Sequence, residues 1–396
     1  MEKEAQTRKQ HYIPKFYMKN FANDDNTFNI INISNQRLIN NVSYMSHFKE
    51  KYFYDKDNKI ENKLNKLENN WCEVIKKIIS GEYPDEKEKQ VIKEFAIYQR
   101  NRTLYKSEEF LEMSWQSEKV RIEMTLKKDN KKLNDESFEK LKKEYKSQYP
   151  YKAIELILEI TEKHLDIIDD LDVAIIKYNT KAKLISSDNP VVHYNNFDIK
   201  SVGYINAGLI IFFPISSELL CVIYDAKMYL PLNKDNYIIS KNEYDVKYLN
   251  YFQILNANNA IFFKDNSISD MLMKELNKNK IQSILKFPKL KTDMLGPDNS
   301  KIISFSAKYI YLEHTFSFAK LIKKANIIPK NAINWFPRKY DEKFFNGNFK
   351  NRKIMVPIIN LIKKENPKYF ANAMLWNDNE IDQFNKFVVD YWNNNL

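Results

Sequence analysis

The sequence predicts an α+β fold, in which helices pack on a small, mainly antiparallel sheet and a mostly helical C-terminal extension follows. Apolar residues recur with the period of an α-helix in the first half of the chain, whereas short continuous apolar runs lie between residues 172 and 225. Apolar side chains make up 43% of the 396 residues, so a substantial core can form.

The clearest helix is predicted for Ile60–Ile78, where apolar residues recur every three or four positions until Gly81. A second helix is expected to begin with Asp85 as its N-cap, because Glu88 follows three residues later in the pattern of a capping box. Its apolar stripe continues towards Met124.

The chain between residues 127 and 150 is mostly charged or polar, which predicts either an exposed helix or a solvated insertion. A further helix is expected over residues 153–168. Earlier in the chain, Phe28–Ile33 is predicted to form a strand, and a turn follows at residues 34–36.

A four-stranded core sheet is predicted after residue 172. Val173–Tyr178 and Lys183–Ser186 flank a short Asn179-Thr180 turn, which indicates a β-hairpin, and the runs Gly208–Phe213 and Leu219–Tyr224 indicate two more strands. Residues 241–262 return to a helical pattern, and Ala260–Phe263 is expected to form a strand.

The composition limits the class of protein. Formal net charge is +11 with a pI near 9.1, which favours polyanionic partners, although 52 acidic residues among 63 basic ones also fit an ordinary mixed-charge surface. Only Cys72 and Cys221 occur, so neither a disulfide framework nor a cysteine metal site is expected. The N-terminus lacks a secretion signal and no apolar run approaches the ~20 residues of a membrane span, so we expect a cytoplasmic protein without a membrane partner.

Several segments carry a family resemblance by their order and spacing. They are the opening His11-Tyr-Ile-Pro-Lys-Phe-Tyr-Met-Lys-Asn-Phe21, the helix bearing Glu68, the stretch Phe95–Thr103, Ser187-Asp-Asn-Pro190 and Phe213-Pro-Ile-Ser216. Together these segments resemble the DUF4238 family over about residues 11–265. The resemblance implies a domain without an assigned reaction, together with a place among bacterial defence, phage-defence or toxin-like proteins. We expect residues 1–285 to form the family-like domain and residues 286–396 the C-terminal extension.

His11 and Glu68 are the first candidate catalytic residues. An imidazole can act as a general base or a metal ligand, but His11 lies among aromatic residues and could equally anchor the N-terminal segment. Glu68 borders the apolar stripe of its helix, so its carboxylate could point into a cleft, or it could be an ordinary exposed glutamate.

Gln99 and Arg102 are three residues apart on one predicted helix, so they share a face. They could bind a phosphate, or Arg102 could form a structural salt bridge with Glu68 or Asp188. Asp188, the third candidate catalytic residue, follows a predicted strand. Asn189, a candidate substrate-binding residue, comes next, which places both in a tight turn. Asp and Asn are also ordinary turn residues.

If His11, Glu68 and Asp188 converge near Arg102, they suit a divalent metal such as Mg²⁺, with Glu68 and Asp188 as ligands, and a phosphodiester substrate. The leading hypothesis is therefore a nucleic-acid-directed hydrolase of the nuclease type. No GxGxxG loop, P-loop or GxSxG motif points to another enzyme class.

The alternative is a non-catalytic module that binds RNA, DNA or a protein, in which the same polar residues fix the N-terminal segment to the sheet. A third hypothesis gives the C-terminal extension a protein partner, through the aromatic residues Trp335, Phe336 and Trp376.

Overall fold

The computed structural model describes residues 9–128, 132–148, 150–196, 203–204, 206–233, 235–278, 289–294, 301–306 and 314–322. Within these ranges helices and mostly antiparallel sheets are mixed, so the predicted α+β class is confirmed.

The helices of the described part of the chain fall mainly between the first strands and the main sheet. They are α1 (Lys15–Lys19), α2 (Lys59–Ser80), α3 (Glu86–Asn101), α4 (Leu104–Lys128), α5 (Asp135–Gln148), α6 (Pro150–Lys163), α7 (Glu243–Asn256) and α8 (Ser269–Lys278). Short 3₁₀ turns lie at Tyr44–Ser46, Leu165–Ile168 and Asn266–Ile268.

The strands form two larger sheets and two two-stranded ribbons. They are β1 (Lys9–His11), β2 (Thr27–Asn32), β3 (Leu38–Ser43), β4 (Lys49–Lys51), β5 (Asp172–Tyr178), β6 (Ser186–Ser187), β7 (Val192–Tyr194), β8 (Ile210–Pro214), β9 (Leu219–Tyr224), β10 (Ile238–Ser240), β11 (Ala260–Phe263), β12 (Lys289–Met294) and β13 (Lys301–Ser306).

The main sheet has the strand order β10-β5-β9-β8-β7. All its pairs are antiparallel except β10 with β5. The side chains of β8 and β9 are buried along both strands, which explains why these strands appear in the sequence as continuous apolar runs. The two predicted strands between residues 208 and 224 are confirmed as this antiparallel pair.

The second sheet has the order β3-β2-β11-β6. The predicted strands near residues 28–33 and 260–263 are both confirmed, and they pair with each other as β2 and β11. The ribbons join β1 to β4 and β12 to β13.

The hairpin predicted around Asn179-Thr180 is wrong, because β5 and β6 belong to different sheets. β5 pairs with β9 and β10, while residues 183–185 are held by the Asn250 side chain on α7: Asn250 accepts from the Ile185 amide and donates to the Lys183 carbonyl, at 3.0 and 2.8 Å. The main sheet consequently has five strands instead of the predicted four.

The two N-terminal helices follow the sequence pattern closely. α2 ends at Gly81, whose φ of 105° suits glycine, and α3 begins with the predicted capping box of Asp85 and Glu88. The predicted continuation to Met124 is interrupted, since α3 ends at Asn101 and the Thr103 hydroxyl accepts from the Lys106 amide in the first turn of α4, at 3.3 Å.

The charged segment after residue 127 contains helix α5, and the region expected to be helical over residues 153–168 contains α6 and a 3₁₀ turn. Lys142 and Lys146 on α5 form ion pairs with Glu112 on α4 at 3.0 and 2.7 Å. The described residues beyond 286 comprise the β12–β13 ribbon and residues 314–322. The remaining part of the predicted helical extension, including Trp335, Phe336 and Trp376, lies outside the described residues.

Aromatic side chains join the N-terminal segment to the two sheets. The Tyr17 ring on α1 stacks on Phe213 of β8, with ring centroids 5.2 Å apart, and Phe95 of α3 contacts both Phe213 and Trp71 at 5.0 Å. The buried Tyr17 hydroxyl donates to the Pro214 carbonyl at 2.7 Å. Ile13, Tyr17, Met18 and Phe21 are fully buried, so residues 11–21 are anchored in the core.

Candidate functional site

Arg102 lies at the centre of the polar contacts beneath the N-terminal segment. Its side chain is 1% exposed, and Nη1 lies 2.7 Å from Glu68 Oε1. Nε donates to the Tyr54 hydroxyl at 2.8 Å, and Nη2 donates to the His11 carbonyl at 2.9 Å. The structural salt bridge between Arg102 and Glu68, one of the interpretations left open by the sequence, is present.

Further carboxylates surround this ion pair. Burial raises the pKa of Glu61 to about 7; the Arg102 guanidinium opposes this rise, while Glu68 and Asp55 add to it. The Asp55 carboxylate is itself occupied, because it accepts from the Ile60 amide and from Gln10 Nε2 at 3.1 Å. The Arg102 guanidinium therefore acts on both Glu68 and Glu61.

Gln99 is fully buried and binds the N-terminal segment at Tyr12, one residue after the His11 carbonyl that Arg102 contacts. Its Nε2 donates to the Tyr12 carbonyl at 3.2 Å, while its Oε1 has no hydrogen-bond partner among the described residues. The predicted shared face of Gln99 and Arg102 lies at the C-terminal end of α3, where Arg102 is the capping residue, and it is directed at the backbone of residues 11 and 12.

His11 lies at the end of β1, half-buried. Burial lowers its pKa to about 4, the Met45 carbonyl opposes this change, and the positive charges of Lys15, Lys49 and Arg102 lower the pKa further. His11 Nε2 lies 3.2 Å from the Met45 carbonyl oxygen, which can only accept, so Nε2 carries the proton of the neutral ring.

Asp188 is 2% exposed and holds a turn that is distant in sequence. Its Oδ1 accepts from the Asn258 amide at 2.8 Å and its Oδ2 from the Asn259 amide at 2.7 Å. Burial raises the pKa of Asp188 to about 7, and these backbone N–H groups act in the opposite direction.

Asn189 is equally committed to the connection between α7 and β11. Its Nδ2 donates to the Asn256 carbonyl at 3.0 Å, and Asn256 Nδ2 donates back to the Asn189 carbonyl. Next to them, the Ser187 hydroxyl donates to Gln253 Oε1 at 2.8 Å. The predicted tight turn at residues 187–190 is thus fixed to α7 by side-chain amides.

The predicted site residues fall into two sets of contacts. Arg102 joins Glu68, Tyr54 and the His11 carbonyl, whereas Asp188 and Asn189 contact residues 256–259. The two sets share no direct hydrogen bond or ion pair among the described residues.

A family model described as "Protein of unknown function (DUF4238)" matches residues 9–267. The chain belongs to the DUF4238 family. This confirms the resemblance that the sequence motifs indicated. Comparison with curated proteins and comparison with solved structures yield no significant match.

Within the described ranges, no three His, Cys, Asp or Glu side chains are grouped so that they could hold one metal ion. The metal role of Glu68 and Asp188 therefore stays a prediction.

None of the helices in the described part of the chain combines the length and apolar character needed to cross a bilayer.

Sequence reasoning missed Gln10 and Tyr54, although both contact the N-terminal segment in this chain. The Gln10 side chain is fully buried, with Oε1 accepting from the Tyr54 amide at 2.7 Å, and the Tyr54 hydroxyl donates to the His11 carbonyl at 3.0 Å. The alternation of Lys9, Gln10 and His11 in a short strand was the available signal, since it places Gln10 on the opposite face from its neighbours.

His11 gives a pH-dependent prediction. Its pKa of about 4 in the folded state lies below the ordinary value of 6.5, so the unfolded chain takes up a proton first as the pH falls. The stability contributed by neutral His11 is complete above about pH 6.5 and is lost as the pH falls towards about 4. We expect the stability difference between the wild type and His11→Gln, measured by urea unfolding, to shrink from pH 7 to pH 5. A difference that grows over this interval would contradict the assignment.

Proposed function

We propose that this DUF4238 protein is a non-catalytic module that binds nucleic acid through one basic face of the β1–β4 ribbon. The register carries the proposal: Lys9 lies opposite Lys51, and His11 lies opposite Lys49. Directly paired residues project from the same face of a ribbon, so the four side chains share one surface, called the basic ribbon face below.

The basic ribbon face points outward. Between Lys9 and His11, Gln10 projects to the other side and is fully buried, while Lys9 and Lys51 are exposed. The charges of Lys15 and Lys49 both act on His11, so the positive potential extends to α1.

Lys9 and Lys51 are like charges directly opposite each other, which destabilises a ribbon, and a bound anion would reduce this cost. Among the residues that the structure describes, no acidic side chain forms an ion pair with Lys9, Lys49 or Lys51; Lys49 Nζ donates to the Met45 carbonyl at 2.9 Å. The overall charge of +11 supports a polyanionic partner.

The hydrolase hypothesis receives less support from the contacts of its residues. Two nitrogens of the Arg102 guanidinium donate to Tyr54 and to the His11 carbonyl, and the third lies 2.7 Å from Glu68 without a hydrogen bond to it. A phosphate would therefore have to displace Glu68 or one of the two acceptors. Both Asp188 oxygens accept backbone N–H groups. These contacts favour the interpretation in which the polar residues fix the N-terminal segment and the neighbouring turn.

Fluorescence anisotropy tests the proposal by measuring the binding of labelled single-stranded RNA, single-stranded DNA and duplex DNA. The salt concentration is varied over roughly 50–200 mM, the range in which counterion release changes the affinity. The triple variant Lys9→Gln, Lys49→Gln and Lys51→Gln is expected to weaken binding about tenfold or more, and to lower the salt slope by about 3.

The matched control removes three exposed lysines elsewhere, as Lys66→Gln, Lys76→Gln and Lys87→Gln, and changes the net charge equally. If both triple variants weaken nucleic-acid binding equally, the binding depends only on net charge, and the proposed site on the ribbon is refuted. Strand cleavage that depends on Mg²⁺ or Mn²⁺ and disappears in Asp188→Asn would instead support the hydrolase.

A further inference from the structure

Residues 314–322, called the strap below, lie beyond the family match, which ends at residue 267. They nevertheless pack on the DUF4238 region over their whole length. The strap begins with residues that belong to no helix or strand, turns where the Ala319 amide donates to the Phe316 carbonyl at 3.0 Å, and then runs beside residues 228–230.

Asp245, in the first turn of α7, supplies the polar anchor for the strap. The residue is fully buried, and its carboxylate accepts from the Ser317 amide at 3.3 Å and from the Ser317 hydroxyl, with His314 Nε2 also 3.3 Å away. Within the described ranges, every hydrogen-bond partner of this carboxylate comes from the strap. A buried carboxylate without hydrogen-bond partners destabilises the fold, so Asp245 favours a state in which a segment occupies the groove.

Phe316 supplies the apolar anchor. It is fully buried, and its ring centroid lies 4.8 Å from that of Phe212, 5.3 Å from Tyr194 and 6.0 Å from Phe252. The His314 ring stacks on Tyr248 with centroids 3.8 Å apart and an interplanar angle of 8°. These four aromatic partners all belong to the family-matched region.

Besides the Ser317 amide, the backbone of the strap is bound at four further points. The Leu230 amide donates to the Lys320 carbonyl at 2.7 Å, and the Ile322 amide donates to the Met228 carbonyl at 3.1 Å. The Tyr194 hydroxyl and the Asn196 side-chain amide donate to strap carbonyls at residues 314 and 319. Backbone bonds combined with side-chain pockets are the usual means by which domains bind extended peptides.

The strap lies at the surface of the domain. Thr315, Ser317 and Lys320 are exposed, while Phe316 between the first two is buried, so one side of the strap faces solvent and the other faces the groove. This distribution of burial is that of a bound peptide.

We infer that the DUF4238 domain contains a peptide-recognition groove between α7 and the β7 edge of the main sheet, and that the strap occupies it as an intramolecular ligand. The ligand class is a non-helical segment with a turn and a buried aromatic residue, preceded by an imidazole and followed by a hydroxyl that binds Asp245. The groove is separate from the basic ribbon face, so the inference does not depend on the proposed function.

A labelled peptide with the sequence of residues 312–323 tests the inference in the full-length protein by fluorescence anisotropy. The wild type is expected to bind it weakly, because the covalently linked strap competes at a high effective concentration, on the order of millimolar. The Phe316→Ala chain loses the apolar anchor of its own strap and is expected to bind the added peptide at least about tenfold more tightly.

Three controls sharpen the result. A Thr315→Ala chain, changed at an exposed strap position, is expected to behave like the wild type. A peptide carrying alanine in place of the phenylalanine of position 316 is expected not to bind, and neither is the intact peptide to a chain that combines Asp245→Asn with Phe316→Ala.

A folded Phe316→Ala chain that does not bind the peptide would overturn the inference. A Phe316→Ala chain that does not fold would overturn it as well, because the strap would then be an obligatory part of the core. Equal binding by the wild type and both single variants would place the peptide outside this groove, with the same consequence.

Discussion

Replacing Arg102 by methionine is expected to lower the free energy of unfolding by about 3–5 kcal/mol, the usual cost of breaking a buried ion pair by removing one partner. Methionine retains much of the apolar stem, so the loss reports on the guanidinium. Its removal takes a donor from Tyr54 and one from the His11 carbonyl, and leaves Glu68, 20% exposed, without its cation. Urea unfolding followed by circular dichroism measures the loss.

Arg100→Met is the matched control for this experiment, since Arg100 lies in the last turn of α3, two residues before Arg102, and also donates to a carbonyl, that of Val191 at 2.9 Å. No acidic side chain among the described residues forms an ion pair with Arg100, so a loss of only about 1 kcal/mol is expected. Similar losses in the two variants would show that the contact between Arg102 and Glu68 adds little stability.

A third variant, Arg102→Lys, separates charge from geometry. Lysine keeps the positive charge but cannot place donors on Tyr54, His11 and Glu68 together, because it lacks the planar fork of the guanidinium. We expect its stability to lie between those of the wild type and Arg102→Met. Full recovery by lysine would mean that charge alone accounts for the effect.

Local patterns in the sequence were sufficient to predict many elements of the fold. Both the end of α2 at Gly81 and the capping box at Asp85 depend on residues within one helical turn, so the sequence shows them directly. The failed hairpin at residues 173–186 shows the limit. There β5 pairs with β9 and β10 and β6 pairs with β11, all of them strands far along the chain, and a local turn pattern holds no information about such partners.

For the candidate site, too, the sequence indicated the residues more readily than their hydrogen-bond partners. Gln99 and Arg102 do share a helix face, but the acceptors on that face are backbone carbonyls of residues 11 and 12. Such acceptors are present at every position of every chain, so no residue type marks them in the sequence. The anchoring of Asp188 by the Asn258 and Asn259 amides could not be predicted for the same reason.

Replacing Asp188 by alanine is expected to lower the free energy of unfolding by about 2–4 kcal/mol at pH 5, because the amides of Asn258 and Asn259 lose their acceptor in a buried turn. Asp265→Ala is the control: that side chain is only partly buried and accepts one amide, from Ser267 at 2.8 Å, so a loss of about 1 kcal/mol is expected.

The loss in Asp188→Ala should also depend on pH in a defined direction. Burial raises the pKa of Asp188 to about 7, so between about pH 4 and pH 7 the folded protein holds a proton that the unfolded chain has released. Wild-type stability from this group therefore falls as the pH rises through that interval, while the alanine variant has no such contribution. The difference between the two chains, measured by urea unfolding, is expected to be larger at pH 5 than at pH 8. A larger difference at pH 8 would mean that the hydrogen bonds to the carboxylate outweigh the cost of burying its charge.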